Sequence, residues 1–415
     1  MKILHTSDWH LGRTLCGRRR HEEFAAFLEW LAGIIEAHAI DALLVAGDLF
    51  DTSTPGNPAQ ALYYRFLCRV AASPCRHVVV VAGNHDSPAF LEAPRELLKA
   101  LDVHVVGAAC EDPADEVLVL HDAAGAPELI VCAVPYLRER DIRQVTPGES
   151  VRDKERKLLE GVRGHYAAVA DAALLRREAL AAEVPIVGMG HLFTAGGETV
   201  EGDGVRDLYV GSLAHVSPGI LPACFDYLAL GHLHLPQTVN GRDNARYSGS
   251  PLAMGFGEAC QSKSLCLVEL NAAGARVQLI GVPVFRRLER VRGDWEAVSA
   301  RIGELAGGGF DGWVEVVYEG GEVVGGLWRR LDEMTEGRPL EILRVRNTRL
   351  TEQVLSPLHE SETLGDLDVD EVFRRCLDLH EMPGPQRPEL TRAYRETLAA
   401  LAEEGWDGSA GGGGR

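Results

Sequence analysis

Two stretches of this chain, Ala42-Leu43-Leu44-Val45 and Val78-Val79-Val80-Val81, are unbroken apolar runs of strand length. A strand with one face in water alternates apolar and polar residues, so a run without a polar member must be buried on both faces, as in the middle of a layered sheet. Between and around these runs the period changes. Phe24, Phe27, Leu28, Leu31, Ile34 and Ile35 recur at helical spacing and form one buried face. An Arg/Ala/Leu-rich segment within Val151–Glu183 reads as another helix. Strand and helix signals alternate over roughly the first 280 residues, the pattern of a layered α/β domain.

From about Val282 the texture is different. Val282–Arg292 reads as a strand, Trp295–Leu305 as a helix, Trp313–Tyr318 as a strand, Leu327–Met334 as a helix and Leu340–Val345 as a strand, an order that suits a small second α/β domain. A polar stretch with Pro357 follows. Two helices are then expected near Asp368–His380 and Glu389–Glu404, separated by Pro383, Pro385 and Pro388. Val372, Phe373, Cys376, Leu377 and Leu379 line an apolar side of the first, and Leu390, Tyr394, Leu398 and Leu401 of the second. The expected divisions are residues 1–281, 282–346, a linker over 347–360, a helical region over 361–404 and a flexible glycine-rich tail over 405–415.

The formal net charge of −19 argues against nucleic-acid binding by bulk electrostatics. The excess is uneven: Thr351 to Asp407 holds 14 acidic and 5 basic side chains. Divalent cations can supply positive charge locally, so acidity does not exclude a phosphodiester substrate. The nine cysteines include no C-x-x-C pair, which excludes a zinc-finger spacing and leaves reduced packing residues. No apolar run approaches the roughly 20 residues of a membrane span, and the first residues lack a signal-peptide core, so a soluble cytoplasmic protein is expected.

Five short motifs recur in one context. Ile3–Leu4 leads to Asp8-Trp9-His10, Leu43–Val45 to Gly47-Asp48-Leu49-Phe50-Asp51, and Val78–Val81 to Gly83-Asn84-His85-Asp86. Pro185–Val187 leads to Gly190-His191, and Tyr227–Leu230 to Gly231-His232-Leu233-His234. Strand ends are where ligands gather in layered α/β folds, and glycine lets the backbone turn closely around them. Any one motif could be a turn with a polar residue, and Asp48 alone could cap a backbone N–H. Five of the 15 histidines, with Asp8, Asp48 and Asn84, all at strand ends, are not explained as independent turns.

In that order, D-x-H, G-D-x-x-D, G-N-H-D, G-H and G-H-x-H resemble the calcineurin-like metallophosphoesterases. The opening Lys2 to Gly12, with Ala46 to Thr52, Ala82 to Ser87 and Arg246-Tyr247-Ser248-Gly249-Ser250-Pro251, is similar to the SbcD family, the nuclease subunits of bacterial SbcC–SbcD complexes. The likeness covers nearly the whole chain. It implies a two-layer β-sandwich flanked by helices, with a small α/β capping domain over 282–346 that binds DNA and C-terminal helices over 361–404 that dock on the partner subunit. It implies Asp8, His10 and His234 on one metal ion, Asn84, His191 and His232 on a second, and Asp48 bridging both through its two oxygens. Such a mixed N/O set without thiolate suits manganese, iron or zinc; the resemblance favours manganese. His85 is left to stabilise the transition state or protonate the leaving oxygen, with Asp51 orienting its ring. The archaeal and eukaryotic counterparts carry histidine where Asp51 stands.

The implied activity is hydrolysis of DNA at ends and hairpins, by exonuclease and endonuclease modes. The implied partners are an SbcC-type ATPase subunit and a second copy of the chain within a heterotetramer. No G-x-x-x-x-G-K-[ST] is present, so any ATP dependence must come from another subunit. The run Arg18-Arg19-Arg20 fits either a DNA-backbone contact or a solvated helix start. Two other readings stay open: a small-molecule phosphodiesterase or phosphatase with the same metals, and a scaffold that keeps the fold without turnover. Protein phosphatases of the superfamily follow the second motif with Asp-Arg-Gly, whereas here Asp51 is followed by Thr52-Ser53.

Overall fold

The structure is a computed structural model, and it describes residues 1–143, 149–181, 183–193, 221–271, 274–320, 326–347 and scattered positions between 370 and 395. Two six-stranded sheets organise the first part. One runs in the order Gly274–Gly281, Ser264–Asn271, Lys2–Thr6, Ala42–Ala46, His77–Val81, Val103–Val106. Its last four strands are parallel and the first two antiparallel. The other runs Gln237–Val239, Arg242–Tyr247, Tyr227–Gly231, Ile186–His191, Pro127–Ala133, Val117–His121. Its four inner strands are parallel and both edges antiparallel.

The apolar runs are continuous because each strand feeds two cores. Ile3, Leu44, Ala46, Val79 and Val81 point into a layer shared with Leu129, Val131, Val187, Met189 and Ala229 of the opposite sheet. The alternate residues Leu4, Leu43, Val45, Val78 and Val80 point outward under the helices His21–His38 and Asn57–Ala71. On the far side, Ile130, Ile186 and Leu228 pack with Val162, Tyr166 and Val169 of the helix Val151–Leu180. The result is the expected β-sandwich flanked by helices. Of the helical face read from the sequence, Phe24, Phe27, Leu28, Leu31 and Ile35 are buried, and Ile34 is only partly so. Ser150 and Asp153 close a capping box at the start of the long helix.

The chain divides into two compact units, Met1–Glu289 and Arg290–Arg415. A three-stranded sheet runs in the order Arg287–Gly293, Gly312–Tyr318, Leu340–Asn347, its first strand spanning the division. In the second unit the helices Trp295–Gly307 and Leu327–Thr335 bury Val298, Ile302, Leu305 and Leu331 against Val314 and Val316. The helices expected over 368–380 and 389–404 lie largely outside the described residues. Where they are described, Phe373 stacks on Tyr394 with ring centroids 4.0 Å apart, and Arg395 pairs with Asp370 at 2.8 Å. No helix among the described residues is long and apolar enough to cross a membrane. The eight cysteines among them are all free.

Candidate active site

The five motifs leave the ends of Lys2–Thr6, Ala42–Ala46 and His77–Val81 in one sheet, and of Ile186–His191 and Tyr227–Gly231 in the other. Those strands are parallel within each sheet, so the motifs converge on one edge of the sandwich. His191 and Gly231 are themselves the last residues of their strands, slightly earlier than a loop reading suggests. Asp8, His10, Asp48, His191, His232 and His234 are all at most 2% exposed.

The first two loops run side by side, with the N–H of Asp8 on the carbonyl of Gly47 and that of His10 on Asp48, each at 3.0 Å. Four of the buried site residues take left-handed backbone angles: Asp8 (φ 54°), His10 (48°), Asp48 (49°) and His232 (105°). Such angles cost an L-residue of order 1–3 kcal/mol and persist only where the surroundings impose them. Glycine is demanded at Gly47, where φ is +87° and a Cβ would stand 2.2 Å from His191 Nδ1. It is demanded again at Gly83, where a Cβ would stand 2.1 Å from Asp48 Oδ1.

Three groups of ligand-type atoms result, Asp8/His10/His234, Asp48/His191/His232 and, sharing His10 with the first, His10/Asp51/His85, each with its atoms within 4.8 Å. His10 Nε2 lies 3.2 Å from His234 Nε2 and 3.7 Å from Asp48 Oδ2. His191 Nε2 lies 3.3 Å from the same Asp48 Oδ2 and 3.0 Å from Asn84 Oδ1. The main-chain N–H of His232 holds both oxygens of Asp8, at 3.0 and 3.1 Å, and Ser7 Oγ donates to Asp8 Oδ2 at 2.5 Å. His232 Nε2 is buried with no hydrogen-bond partner among the described residues.

These residues fit a pair of divalent cations. An orphaned buried nitrogen needs a partner, and two imidazole nitrogens 3.2 Å apart can share at most one proton between them. Burial, reinforced by neighbouring His191, pushes His232 well below the usual histidine range and keeps its ring neutral. Burial raises Asp48, but His191 and then His10 and His85 reverse this and hold it well below the carboxylate range. Burial lowers His191, and Asp48 more than reverses it, to about 9. A cation at this point would displace that proton, as ligand imidazoles must be neutral.

Three expectations change in detail. Asp48 does not present both oxygens to the first two groups: Oδ1 accepts the N–H of His85 at 2.8 Å, and Oδ2 alone faces His10 and His191. Asp51 does meet His85, but through its backbone. His85 Nδ1 lies 2.8 Å from the Asp51 carbonyl, whereas the carboxylate lies 3.3 Å from His10 Nδ1 and 3.1 Å from Arg13. Arg20 is 3% exposed and paired with Glu23 at 2.7 Å, so it is not available to a DNA backbone; Arg18 and Arg19 form an exposed hairpin strand.

Two carboxylates beside the site carry no signal that residue type alone could reveal. Asp86 closes the G-N-H-D motif and accepts the N–H groups of Leu49, Phe50 and Gly83 at 2.9 to 3.0 Å, tying the second motif to the third. Glu258, fully buried, lies 3.1 Å from His234 Nδ1. Burial would raise Glu258, but His234 and Lys263 bring it down to about 2. Only its position in the fold distinguishes it from any other glutamate.

The model of the calcineurin-like phosphoesterases matches residues 1–236. That of the type 5 capsule protein repressor C-terminal domain matches residues 284–381. The chain is 36% identical to the SbcD subunit of the nuclease SbcCD from Escherichia coli (strain K12) over 409 residues, 97% of this chain and 99% of that protein. It is 38% identical to the protein of the same name from Rhodobacter capsulatus, over 68% of this chain and 69% of that one. With the Bacillus subtilis (strain 168) protein it shares 37% over 65% and 66%. The chain belongs to the calcineurin-like phosphoesterases, enzymes that cleave phosphate esters with bound metal. Within them it belongs to the SbcD family of nuclease subunits, and it is a metal-dependent nuclease.

The Asp86 contacts make a direct prediction. Asp86→Asn turns a triple acceptor toward an amide that must also place two N–H donors among N–H donors. Unmade buried bonds cost about 1–3 kcal/mol each, so unfolding in urea should show a loss of at least about 2 kcal/mol together with weaker metal retention. Native stability in this variant would mean that Asp86 does not tie the motifs together.

Proposed function

We propose that the chain hydrolyses DNA phosphodiester bonds at ends and hairpins, in exonuclease and endonuclease modes, with two manganese ions. It would act as the nuclease subunit beside an SbcC-type ATPase, as a homodimer within a heterotetramer. The observation that carries the reading is Asp48 Oδ2, placed between the Nε2 atoms of His10 and His191 at the junction of two ligand groups. Asp8, His10 and His234 would hold one ion and Asn84, His191 and His232 the other, with Asp48 between them. A cation pair supplies polarisation of the phosphate, an activated water and neutralisation of charge during in-line displacement.

The chain's own residues do the rest. The left-handed turns hold Asp8 and Asp48 as acceptors facing inward, and burial keeps His232 neutral as a donor atom. His85 gives Nδ1–H to the Asp51 carbonyl, which leaves Nε2 as the nitrogen able to carry a proton to the leaving oxygen. Asp51 supports His10 and Arg13 through its carboxylate and His85 through its carbonyl. The relatives from three bacteria are named as one subunit of a nuclease, which supports a nucleic acid as the polymer and a second kind of subunit as the partner.

Incubating the protein with Mn²⁺, a labelled DNA hairpin and, in parallel, a phosphodiester dye tests the reading. Hairpin cleavage is expected; dye cleavage with intact DNA, with SbcC also present, would favour a small-molecule phosphodiesterase instead. His85→Ala should keep both metals and lose turnover by about 10²–10⁴-fold, the usual worth of positioned proton transfer. Loss of metal from that variant would make His85 a ligand.

Docking on SbcC is assigned to the C-terminal region over 361–404. Phe373 and Tyr394 face each other, so the docking surface would use the remaining sides of the paired segments. A chain truncated after Leu355 should retain its metals and fail to co-purify with SbcC. Stoichiometric co-purification would place the docking surface elsewhere, and unfolding would place the segments in the core.

A further inference from the structure

Glu258 and Lys263 grip His234 from behind. Glu258 sits on the short turn Phe256–Glu258, is fully buried, and receives the ring Nδ1–H of His234 at 3.1 Å on Oε1. Its other oxygen accepts from the Met254 N–H at 3.1 Å and Ser250 Oγ at 3.3 Å, and meets the Lys263 ammonium. Lys263 Nζ also donates to the main-chain carbonyl of His234 and to Ser250 Oγ, each at 3.0 Å.

Burying a carboxylate and an ammonium costs several kcal/mol per ion, and a neutral, well-packed substitute is often no less stable. Packing alone therefore gives no reason for an ion pair here. The contacts give one. An ionised carboxylate only accepts, so His234 must carry its proton on Nδ1. In the neutral ring that a cation requires, its Nε2, 3.2 Å from His10 Nε2, is then the nitrogen with the lone pair toward the first ligand group. The corresponding support of His191 is weaker, a neutral main-chain carbonyl (Ala46) at 2.9 Å from Nδ1.

We propose that Glu258 is a positioning residue for His234, fixing its tautomer and ring orientation and strengthening Nε2 as a donor to a cation. Lys263 cancels the charge of Glu258 and anchors the main chain of His234. The proposal rests on the reading of His234 as a metal ligand. Carboxylates behind ligating imidazoles typically change metal affinity by about 10–100-fold.

The test is Mn²⁺ titration of the chelator-treated, full-length protein by calorimetry, with side-chain ¹⁵N–¹H spectra of the histidines from the same samples. Glu258→Gln should weaken one of two Mn²⁺ sites by about 10–100-fold and leave the other within threefold. It should also turn the His234 signal from a single Nδ1–H tautomer into a mixture. The double variant Glu258→Gln/Lys263→Met, which leaves no lone buried charge, should fold and show the same two changes. A purely structural Glu258 would lower thermal stability with affinity within twofold of wild type and an unchanged tautomer, and that result overturns the proposal. Wild-type protein that takes no Mn²⁺ at the His234 group would instead refute the ligand reading itself, and the positioning role with it.

Discussion

Asp48 is where the parts of this molecule are made to agree. It follows the central strand Ala42–Ala46, takes a left-handed backbone angle, and is closed off by residues from both sheets. Its Oδ1 receives the N–H of His85 from the third motif, while Oδ2 lies between His10 of the first motif and His191 of the opposite sheet. A buried carboxylate surrounded by imidazoles remains charged, and that charge would suit bound cations. A Cβ at position 83 would strike the Asp48 carboxylate, and one at position 47 would strike the His191 ring. The two glycines, Gly47 and Gly83, are consequences of that placement.

The sandwich serves this junction by bringing residues from two sheets to one edge. The shared layer of Ile3, Leu44, Val79, Val187, Met189 and Ala229 fixes the distance between the sheets, and the parallel strands fix the direction in which their ends point. Strain in the loops is then offset by specific backbone bonds. The first two loops pair with each other, and Asp86 collects three N–H groups from the second and third. The active site is thus preorganised by groups that never touch a reacting atom.

Much of this is legible in the residues. Unbroken runs such as Leu43–Val45 and Val78–Val81 announce strands buried on both faces, and the Asp, Asn and His that follow them do meet at one edge. Residue type does not say which atom is used. Asp51 meets His85 with its carbonyl and His10 with its carboxylate. Arg20 reads as one of three basic neighbours, yet its helix-start position buries it on Glu23. Glu258 lies in no motif, because its partners His234, Ser250 and Lys263 come together only in the folded chain.

A cation pair joined at Asp48 would be visible in anomalous X-ray scattering from crystals soaked in Mn²⁺. Two manganese peaks should appear, one among Asp8, His10 and His234 and one among Asn84, His191 and His232, with Asp48 Oδ2 in contact with both. A single peak, or two peaks of which one leaves Asp48 untouched, would contradict it.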